Sequence, residues 1–452
     1  MSEKLVSPAI LSGFMELLPQ EQIVFDRMKE TIENGFRRYG FWPLDTPAIE
    51  KSEVLFSKGG GETTKQIYRI DKGASSTEQA LRFDLTVPMA RYVALHESEL
   101  PFPFRRYQIA KVYRGERSQK GRYREFYQCD IDIVGREQLA VENDAEMPSV
   151  IYHIFQELGI GAVSFHINNR RLLNGFFATL GISDSESVLR AVDKLTKIGE
   201  EAVSGLLREE GLSEETVGAL FDFLKPLESN AATLTMLDRV GAALDERATS
   251  PGTAAAYREG LNELRLVYER MQAFGVPEER ICIDLSITRG LDYYTGTVFE
   301  TFLCGYESIG SICSGGRYDN LASNFTKTHL PGVGLSIGLT RLYYQLQQAG
   351  LISSEKGEYI RALVLPMSGE DLAYAIETAN FLRAAGVCAQ IYLEGGKAKK
   401  KLAYADRVGA RYAVLIGEQE RAEQRVALKD LTNAAQWSVT REELLERLCG
   451  GR

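Results

Sequence analysis

The chain is poor in the residues that bind structural metals. Its 452 residues include only four histidines, all scattered, and six cysteines, none of which belongs to a Cys-x-x-Cys pair. Structural zinc is held by closely spaced cysteines and histidines, so no metal site is expected from the sequence. The cysteines are instead predicted to be free thiols, as is typical of a protein in a reducing compartment.

Long hydrophobic runs and low-complexity tracts are absent as well. No stretch approaches the roughly 18 apolar residues of a membrane span. The N-terminal sequence MSEKLVSPAILSGFMELLP has no long apolar run behind a basic start, so it is not expected to be a signal peptide. We therefore expect a cytoplasmic location and no membrane partner. The net charge of −9 argues weakly against a polyanionic partner, although the basic residues are unevenly placed.

The composition, 44% hydrophobic and 25% charged, is that of a globular protein, and the length predicts two or three domains. A helix is predicted between Pro19 and Gly40 from apolar residues that recur at helical spacing. These residues are Phe25, Met28, Ile32 and Phe36. From Leu81 to Gly135 the chain is rich in aromatic and β-branched residues, which predicts antiparallel sheet.

The second half of the chain changes character twice. The region from about 182 to 280 is charged and repeats at helical spacing, which predicts a helical insertion. Sheet signals then return, followed by a polar linker at 353–358. Beyond the linker, strands alternate with helices, which predicts a small α/β domain with a mostly parallel sheet. Thr440 and Glu443 have the spacing of a capping box for a last helix.

The segment richest in chemistry is RRYQIAKVYRGERSQKGRYREFYQCDIDIVG, residues 105–135. Two alternating stretches flank a polar, glycine-containing stretch at 116–122, which predicts a hairpin with a long loop. Eight basic residues fall between residues 105 and 124. The loop of this hairpin is therefore expected to be strongly cationic.

The second strand of the hairpin carries its polar residues on one face. Because side chains alternate across a strand, Gln128, Asp130 and Asp132 share a face that lies opposite an apolar one. A solvated outer face with a charged turn is the usual explanation of such a run. The alternative is a ligand site, since cations in a loop suit phosphates and acids on a sheet suit an ammonium or an imidazole. A site that binds a triphosphate beside an amino acid needs both.

Three later segments add glycine, arginine and tyrosine. SITRGLDYYTGTVFE, residues 286–300, has an arginine and two tyrosines where a strand ends, although a turn with core tyrosines is an equal alternative. The double glycine of CSGGRYDNL, residues 313–321, allows close backbone approach to a ligand but also marks ordinary turns. In PGVGLSIGLTRLYYQL, residues 331–346, a glycine-rich strand runs into a helix with Arg341 in its first turn, which suits a phosphate.

Together these segments resemble the motifs of class II aminoacyl-tRNA synthetases, and specifically of histidyl-tRNA synthetases. The cationic hairpin is similar to motif 2, GLSIGLTRL to motif 3, and the helix and strand that reach Pro47 to motif 1. RGLDYY and SGGRYD resemble two peptides peculiar to the histidine enzymes, and LRFDLTVPMARY, residues 81–92, resembles their amino-acid-binding strand. AKKKLAYADRVGA and VALKDL resemble parts of the anticodon-binding domain. The similarity covers nearly the whole chain in the family's order.

The resemblance implies an α+β fold: an antiparallel catalytic sheet flanked by helices, a helical insertion and a C-terminal α/β anticodon-binding domain. The implied boundaries are 1–181 and 281–350 for the catalytic core, 182–280 for the insertion and 360–452 for the anticodon-binding domain. The implied reaction is activation of histidine by ATP to histidyl-adenylate, followed by transfer to the 3′ end of tRNA(His). Histidine, tRNA(His) and ATP with bound Mg²⁺ are the expected ligands, and a homodimer is expected.

Arginines bind the nucleotide in this resemblance. Arg114 would hold the α-phosphate, and Arg122 and Arg341 would also bind ATP. Arg289 would lie at the reacting carboxylate and the α-phosphate. Two anions meet when a carboxylate attacks a phosphate, and fixed cations offset their repulsion, so Arg114 and Arg289 are the catalytic candidates.

The resemblance also assigns the residues that bind histidine. They are Asp84, Thr86, Gln128, Asp132, Arg289, Tyr294 and Tyr318. Asp84 and Thr86, expected on one face of an extended strand, would bind the α-ammonium, and Gln128 would contact the carboxyl end. A site whose polar groups would otherwise be unpaired discriminates strongly against other amino acids.

Asp132 and Tyr294 would bracket the imidazole, because a carboxylate and a hydroxyl match its two ring nitrogens. Tyr318 would line the same pocket. Arg117 and Gln119, in the hairpin loop, are expected to meet the acceptor end of the tRNA. The lysines at 397–401 are candidates for the anticodon stem, with a solvated helix face as the favoured alternative.

The main alternative function is that of a catalytically silent relative. The regulatory subunit of ATP phosphoribosyltransferase shares this core and binds histidine as a signal. It usually lacks the anticodon-binding domain and the RGLDYY peptide, both of which are present here. A generic nucleotide-binding protein would not explain why Arg114, Asp132, Arg289 and Arg341 occur together.

Overall fold

The computed structural model describes nine segments of the chain. They are residues 6–57, 61–71, 73, 78–117, 121–182, 184–246, 251–288, 293–353 and 359–450. The chain divides into two units: Met1–Glu16 with Phe25–Ile352, and Leu17–Val24 with Ser353–Arg452. Two predicted site residues, Gln119 and Arg289, and most of the predicted linker lie outside the described segments.

Eleven strands occur in the described part of the chain before the linker. They are β1 (Trp42–Pro43), β2 (Ile49–Lys51), β3 (Arg69–Ile70), β4 (Gln79–Leu81), β5 (Phe104–Tyr113), β6 (Glu125–Val134), β7 (Val163–Asn169), β8 (Ile281–Ile283), β9 (Thr297–Leu303), β10 (Cys313–Tyr318) and β11 (Gly332–Ile337). Eight of them form one sheet, in the order β1-β5-β6-β11-β10-β9-β7-β8. The remaining three form a small antiparallel sheet, in the order β2-β4-β3.

The large sheet is antiparallel at its centre, as predicted. Its outermost pairs, β1 with β5 and β7 with β8, are parallel, so the sheet as a whole is mixed. The predicted hairpin is β5 and β6, which pair from Phe104 with Val134 to Tyr113 with Glu125. One face of β6 carries Cys129, Ile131 and Ile133, which are completely buried. The hairpin is therefore anchored in the core through this apolar face.

Thirteen helices precede the linker in the described part of the chain. They are α1 (Pro19–Arg38), α2 (Ser52–Phe56), α3 (Gly61–Gln66), α4 (Thr86–Leu95), α5 (Glu142–Leu158), α6 (Arg170–Thr179), α7 (Ser185–Val192), α8 (Leu195–Ile198), α9 (Glu200–Glu209), α10 (Glu214–Leu224), α11 (Asn230–Glu246), α12 (Pro251–Ala273) and α13 (Leu339–Gln348). Helices α7 to α12 occupy the region that was predicted to be a helical insertion.

Helix α1 confirms the helix predicted after Pro19. Met28, Ile32 and Phe36 lie on one side of it and are buried, because residues three or four apart share a helix face. The helix ends at Arg38, and Gly40 then adopts a φ of +74°, a conformation that favours glycine.

Helix α4 contradicts the strand predicted for LRFDLTVPMARY. Strand β4 ends at Leu81 and the helix begins at Thr86. The carboxylate of Asp84 accepts a hydrogen bond from the backbone N–H of Val87 at 2.9 Å, which satisfies a free donor of the first helical turn. Pro88 is also compatible with a first turn, where its missing N–H is not needed. Asp84 and Thr86 therefore lie at the start of a helix.

The second unit contains the remaining strands and helices. They are β12 (Ala362–Pro366), α14 (Leu372–Ala384), β13 (Ala389–Ile391), α15 (Ala398–Arg407), β14 (Tyr412–Ile416), α16 (Glu418–Ala422), β15 (Val426–Asp430), β16 (Gln436–Val439) and α17 (Arg441–Cys449). The strand order is β13-β12-β14-β15-β16. Both neighbours of β12 are parallel to it, but β15 is antiparallel to both of its own neighbours, β14 and β16. The sheet is therefore mixed, and the prediction of a mostly parallel sheet was wrong.

The predicted capping box at the last helix is confirmed. The hydroxyl of Thr440 accepts a hydrogen bond from the backbone N–H of Glu443 at 3.2 Å, and the Glu443 carboxylate accepts one from the Thr440 N–H at 2.9 Å. Each side chain thus satisfies a backbone donor at the start of α17.

Candidate functional site

A row of polar side chains crosses four adjacent strands of the large sheet. Asp130 of β6 pairs with Ser336 of β11, and Ser336 pairs with Ser314 of β10. Ser314 in turn pairs with Glu300 of β9. Paired residues of neighbouring strands point to the same face, and all four residues line one cavity of about 530 Å³. The polar face of the sheet is therefore the floor of a cavity, which excludes the solvated outer face considered above.

A second cavity of about 240 Å³ adjoins this one. We call the larger space the main cavity and the smaller one the side cavity. Seven residues line both: Arg114, Arg122, Gln128, Ser311, Ser314, Ser336 and Arg341. The three predicted nucleotide-binding arginines are among them. Together, the two cavities form one site with a cluster of guanidinium groups at the boundary.

Arg114 is held by its aromatic neighbours and one backbone carbonyl. Its guanidinium carbon lies 4.4 Å from the ring centre of Phe83 and 5.1 Å from that of Phe126. Its Nε donates a hydrogen bond to the carbonyl oxygen of Phe83 at 3.2 Å. Contacts on two ring faces fix the plane of the guanidinium and leave its terminal nitrogens for a ligand.

Arg341 lies in the first turn of α13, as predicted. Its Nη2 donates a hydrogen bond to the carbonyl oxygen of Ile309 at 2.5 Å, which directs the side chain across the side cavity. Arg122 is half exposed, with Nη1 3.7 Å from the Glu116 carboxylate. Arg117 is exposed on the hairpin loop and is not one of the described residues that line either cavity. Gln119 lies outside the described residues.

Asp84 and Thr86 both line the main cavity from the start of α4. The Asp84 carboxyl accepts backbone hydrogen bonds from Thr86 and Val87, and it is buried. The desolvation of this buried carboxyl raises the pKa of Asp84, and the backbone hydrogen bonds and the nearby charge of Arg114 oppose the rise. The predicted pairing of these two residues at one site is therefore present, although the local structure is helical.

The Asp132 carboxylate contacts two protein side chains. One carboxylate oxygen lies 2.6 Å from Nη2 of Arg106, and the other accepts a hydrogen bond from the Tyr318 hydroxyl at 2.8 Å. All three side chains are buried, and neither Asp132 nor Tyr318 is among the described residues that line the main cavity. The two side chains hydrogen-bond each other, and their role in binding histidine stays a prediction.

Close backbone packing keeps Asp132 in this place. Asp132 pairs with Gly334 on β11, and a Cβ atom at Gly334 would lie only 2.1 Å from the Asp132 carboxylate oxygen. A Cβ at Gly316, on β10, would lie 2.6 Å from the Thr297 carbonyl oxygen. The double glycine of SGGRYD thus belongs to a strand, where the close neighbours are protein atoms, and not to a turn.

Gln128 lines both cavities. Its side-chain amide donates a hydrogen bond to the Ser336 hydroxyl at 2.7 Å, and Ser336 hydrogen-bonds the carboxylate of Asp130. Among the described residues, Oε1 of Gln128 and Oδ1 of Asp130 are buried without a hydrogen-bond partner. Buried polar atoms usually have partners, so these two atoms mark a place where a ligand can bind.

Tyr294 lines the main cavity together with its neighbour Tyr293, and their ring centres are 4.9 Å apart. Its backbone carbonyl accepts a hydrogen bond from Nη1 of Arg170 at 2.8 Å, which connects it to the start of α6. Arg289, the residue that was expected beside it, lies outside the described residues. Of the RGLDYY peptide, the structure describes only the two tyrosines, and both line the main cavity.

Several cavity residues were not predicted. They are Arg170, Glu186, Leu189, Arg190, Asp193, Lys194, Phe299 and Glu300. Four of them, Glu186, Leu189, Arg190 and Asp193, come from α7 and its C-terminal end, so the helical insertion forms one wall of the site. No motif in the insertion indicated this. Asp130, by contrast, could have been found from its alternation with Gln128 and Asp132.

The carboxyl groups at the floor of the cavity affect one another. Burial raises the pKa of Asp130 to about 7 and that of Asp132 to about 6. The charge of Arg106 lowers the pKa of both, whereas repulsion from the Asp84 carboxylate raises the pKa of both. Three buried carboxyls, those of Asp84, Asp130 and Asp132, thus lie near the Arg106 guanidinium, an arrangement that favours a cationic ligand.

In the segments that the structure describes, no three histidine, cysteine, aspartate or glutamate residues are grouped so that they could hold a metal ion. The helices in these described segments are too short or too polar to cross a membrane.

Comparison with known proteins gives a consistent result along the whole chain. Residues 13–342 match the family model described as histidyl-tRNA synthetase, and residues 361–449 match the one described as anticodon binding domain. The sequence is 50% identical over 447 residues to the histidine–tRNA ligase of Clostridium tetani, covering 99% of each chain.

Solved structures agree with this similarity. The histidyl-tRNA synthetase of Nostoc sp. PCC 7120 superimposes with a TM-score of 0.87 at 39% identity, over 98% of this chain and 99% of that one. A protein from Bacillus halodurans described as an ATP phosphoribosyltransferase regulatory subunit/histidyl-tRNA synthetase has a TM-score of 0.71 at 20% identity, covering 92% of this chain and 99% of the other. At that identity the second likeness concerns the fold alone.

Proposed function

Because the chain belongs to the histidyl-tRNA synthetase family, we propose that it is a histidine–tRNA ligase, an aminoacyl-tRNA synthetase that attaches histidine to tRNA(His) at the expense of ATP. One observation carries the proposal. A main cavity with buried carboxylates at one end adjoins a side cavity, and Arg114, Arg122 and Arg341 lie between them. An amino acid and a triphosphate require these two kinds of charge side by side.

In the first step, a carboxylate oxygen of histidine attacks the α-phosphorus of ATP. A new oxygen–phosphorus bond forms, the bond between the α-phosphorus and the bridging oxygen breaks, and pyrophosphate leaves. We assign Arg114 to the α-phosphate, because its guanidinium is fixed between two rings at the boundary of the cavities. Arg289 is proposed for the same charges on the strength of the family motif. Fixed cations stabilise the charge that builds up on the phosphate.

Arg122 and Arg341 are proposed to bind the outer phosphates and the adenine end of ATP from the side cavity. Mg²⁺ is proposed to enter with the nucleotide. In nucleotide sites this ion is usually held by substrate phosphates and one or two carboxylates, and Glu116 and Glu300 are acids on the cavity walls. The ion would neutralise the phosphates, while the arginines of the chain orient them.

Histidine is proposed to bind in the main cavity. Asp84 and Thr86 would hold the α-ammonium, and Gln128, whose side-chain amide has two N–H donors, would contact the carboxyl end. Tyr294 is proposed for the imidazole. Asp132 is proposed for the same ring and would keep its contact with Tyr318, since each carboxylate oxygen can accept more than one hydrogen bond.

In the second step, the terminal ribose hydroxyl of the tRNA attacks the carbonyl carbon of histidyl-adenylate. An ester bond forms and AMP leaves. Arg117 is exposed on the hairpin loop and is proposed, together with Gln119, for the acceptor end. Residues 360–452 are proposed to bind the anticodon, which is consistent with the match of residues 361–449 to an anticodon-binding family. A homodimer and a cytoplasmic location are proposed from the family.

The regulatory alternative has less support. The anticodon-binding match has no evident use in a protein that only senses histidine, and the 50% identity to a ligase extends over 99% of both chains. Charging of unfractionated tRNA with radiolabelled histidine and ATP tests the proposal. Acid-precipitable label that depends on ATP and on the enzyme is expected, and complete failure to charge tRNA would contradict it.

A further inference from the structure

Two acids on the same face of strand β6 have different environments. Asp130 and Asp132 are separated by one residue, and both are 2% exposed. Asp132 is occupied by Arg106 and by the Tyr318 hydroxyl. Asp130, by contrast, lines the main cavity, and its Oδ1 is buried without a partner among the described residues. The carboxylate that the protein presents to the cavity is therefore that of Asp130.

Ser336, which pairs with Asp130 on the next strand, leaves one oxygen of the Asp130 carboxylate able to accept a hydrogen bond. Ser336 accepts a hydrogen bond from the Gln128 amide and hydrogen-bonds Asp130, so this chain of contacts holds the carboxylate in place. A buried carboxylate oxygen with no donor is costly in a folded protein. A ligand that supplies a donor at this point gains the interaction without having to reorganise the site.

Charge favours a cationic donor. The charged groups that act on Asp130 are Arg106 on β5, Asp132 on the same strand and Asp84 before α4. This group contains three carboxyls and one guanidinium, and Arg114 acts on Asp84 as well. A neutral imidazole ring would not offset the excess negative charge, whereas the ammonium group of an amino acid would.

Spacing favours the same part of the ligand. Gln128 and Asp130 are alternate residues of a strand, so their Cα atoms are about 6.6 Å apart on one face. The carboxyl and ammonium groups of an α-amino acid are attached to one carbon and can contact two such neighbours at once. Asp84 and Thr86 approach the same cavity from α4, so an ammonium with three N–H donors would find a carboxylate on either side.

On the basis of the proposed function, we propose that Asp130 is a further histidine-binding residue, whose carboxylate accepts a hydrogen bond from the α-ammonium of the amino acid opposite Asp84. Alternation along β6 places both acids on one face, but only Asp132 was predicted to bind histidine. Asp130 lines the main cavity, whereas Asp132 contacts Arg106 and Tyr318. A substrate analogue that lacks the ammonium group should be insensitive to Asp130.

The test compares two ligands on the full-length protein by calorimetry. One is L-histidine, and the other is imidazolelactate, in which a hydroxyl replaces the ammonium while the ring and carboxylate remain. For Asp130→Asn we expect histidine to bind at least about tenfold more weakly and imidazolelactate to change less than about twofold, because only histidine brings a charge to the carboxylate. Equal weakening of both ligands, or of neither, would overturn the proposal.

Asp132→Asn is the matched comparison, since it makes the same chemical change two residues away on the same strand face. Its effect should be similar for the two ligands, because both carry the imidazole and neither ammonium nor hydroxyl lies next to Asp132. If Asp132→Asn instead discriminates against histidine while Asp130→Asn does not, the two assignments are reversed and the proposal is wrong.

A measurement on the unaltered protein covers the case in which Asp130→Asn does not fold. Because the carboxyl is partly protonated near neutral pH, binding of an ammonium should release protons at pH 7, and imidazolelactate should release fewer. Titrations in two buffers of different ionisation enthalpy count these protons. Equal release with both ligands would overturn the inference. If histidine supports neither binding nor pyrophosphate exchange in the unaltered protein, the proposed function fails first.

Discussion

Arg106 and Asp132 face each other across strands β5 and β6, with Nη2 of the arginine 2.6 Å from the carboxylate. Both side chains are almost completely buried, and Tyr318 completes the group through its hydroxyl. The Asp132 carboxylate is thus paired with a protein cation. The Asp130 carboxylate, on the same strand face, instead lines the main cavity, where a ligand can bind.

We predict that Arg106→Ala destabilises the protein strongly. The substitution leaves the Asp132 carboxylate buried without its counter-charge, and breaking such a pair costs about 3–5 kcal/mol. Urea unfolding, followed by far-UV circular dichroism, measures the change in the free energy of unfolding. Arg208→Ala is the control, because its ion pair with Glu214 is exposed and should contribute less than about 1 kcal/mol. Similar losses in the two variants would contradict the assigned role of the buried pair.

Asp130 should make the stability of the ligand-free protein depend on pH. Its pKa is raised to about 7 from an ordinary value of 3.8, so the folded state keeps a proton that the unfolded chain releases above pH 4. Stability therefore falls as pH rises from about 4 to 7, by up to roughly 1.4 kcal/mol per unit. Asp130→Asn removes this contribution. Relative to the variant, the wild type should lose stability between pH 4 and pH 7 in denaturant titrations, and a constant difference would argue against the raised pKa.

Gly334→Ala should disrupt the floor of the site. The added methyl group would lie 2.1 Å from the Asp132 carboxylate oxygen, so the acid or the strand must shift. We expect a loss of stability of about 1–3 kcal/mol, as for other overpacked cores, and a higher KM for histidine. Gly205→Ala is the control, because nothing lies within 4 Å of its Cβ position in helix α9, and alanine should stabilise the helix slightly. Unchanged histidine KM in Gly334→Ala would count against the packing argument.

Arg114→Ala should reduce adenylate formation far more than it reduces ATP binding. Removing one fixed donor at a developing charge costs roughly 10²–10³ in kcat. Arg114→Lys keeps the charge but loses the planar stacking on Phe83 and Phe126, so it should recover only part of the rate. Pre-steady-state pyrophosphate release reports this step. A rate within about threefold of wild type in Arg114→Ala would remove the residue from its proposed role.

Substitution of the exposed lysines at the start of α15 tests whether this part of the C-terminal unit contacts tRNA. Lys397, Lys399 and Lys400 are exposed, whereas Lys401 is buried and donates a hydrogen bond to the Pro366 carbonyl. Changing the three exposed lysines to alanine should raise KM for tRNA several-fold, with a weaker dependence on salt, if they meet phosphates. Pyrophosphate exchange without tRNA is the internal control and should not change. An unaltered KM for tRNA would favour the solvated helix face instead.

Much of the scaffold could be predicted because its signals are local. The apolar stripe of α1 follows directly from helical spacing, and the capping box of Thr440 and Glu443 requires only four consecutive residues. Alternation of side chains also predicted the hairpin of β5 and β6. The placement of glycines predicted that Arg341 lies in the first turn of a helix. In each case the deciding contacts lie within one element or one turn.

Features that depend on distant contacts could not be predicted in the same way. Helix α4 formed in a β-branched segment that was expected to be a strand, with Asp84 accepting from a first-turn N–H. Alternation put Asp130 and Asp132 on one face but could not tell which of them reaches the cavity. Arg106 on another strand and Tyr318, far along the chain, decide that question.

The insertion shows the same limit. Glu186 and Arg190 of α7 line the main cavity, yet their local sequence is that of any charged helix. Likewise, the directions of β15 and β16 depend on which neighbour each strand pairs with, and alternation of strands and helices alone suggested parallel pairing. Residues in recognisable motifs can thus be predicted from the sequence more easily than residues of other elements that line the same cavity.

Histidine-dependent exchange of labelled pyrophosphate into ATP, with Mg²⁺ and no tRNA, measures the activating step by itself. We expect exchange with histidine and none with the other amino acids, since the cavity pairs buried acids with three arginines at the nucleotide boundary. No exchange with any amino acid, in a folded protein that still binds histidine, would contradict the ligase assignment and favour the regulatory alternative.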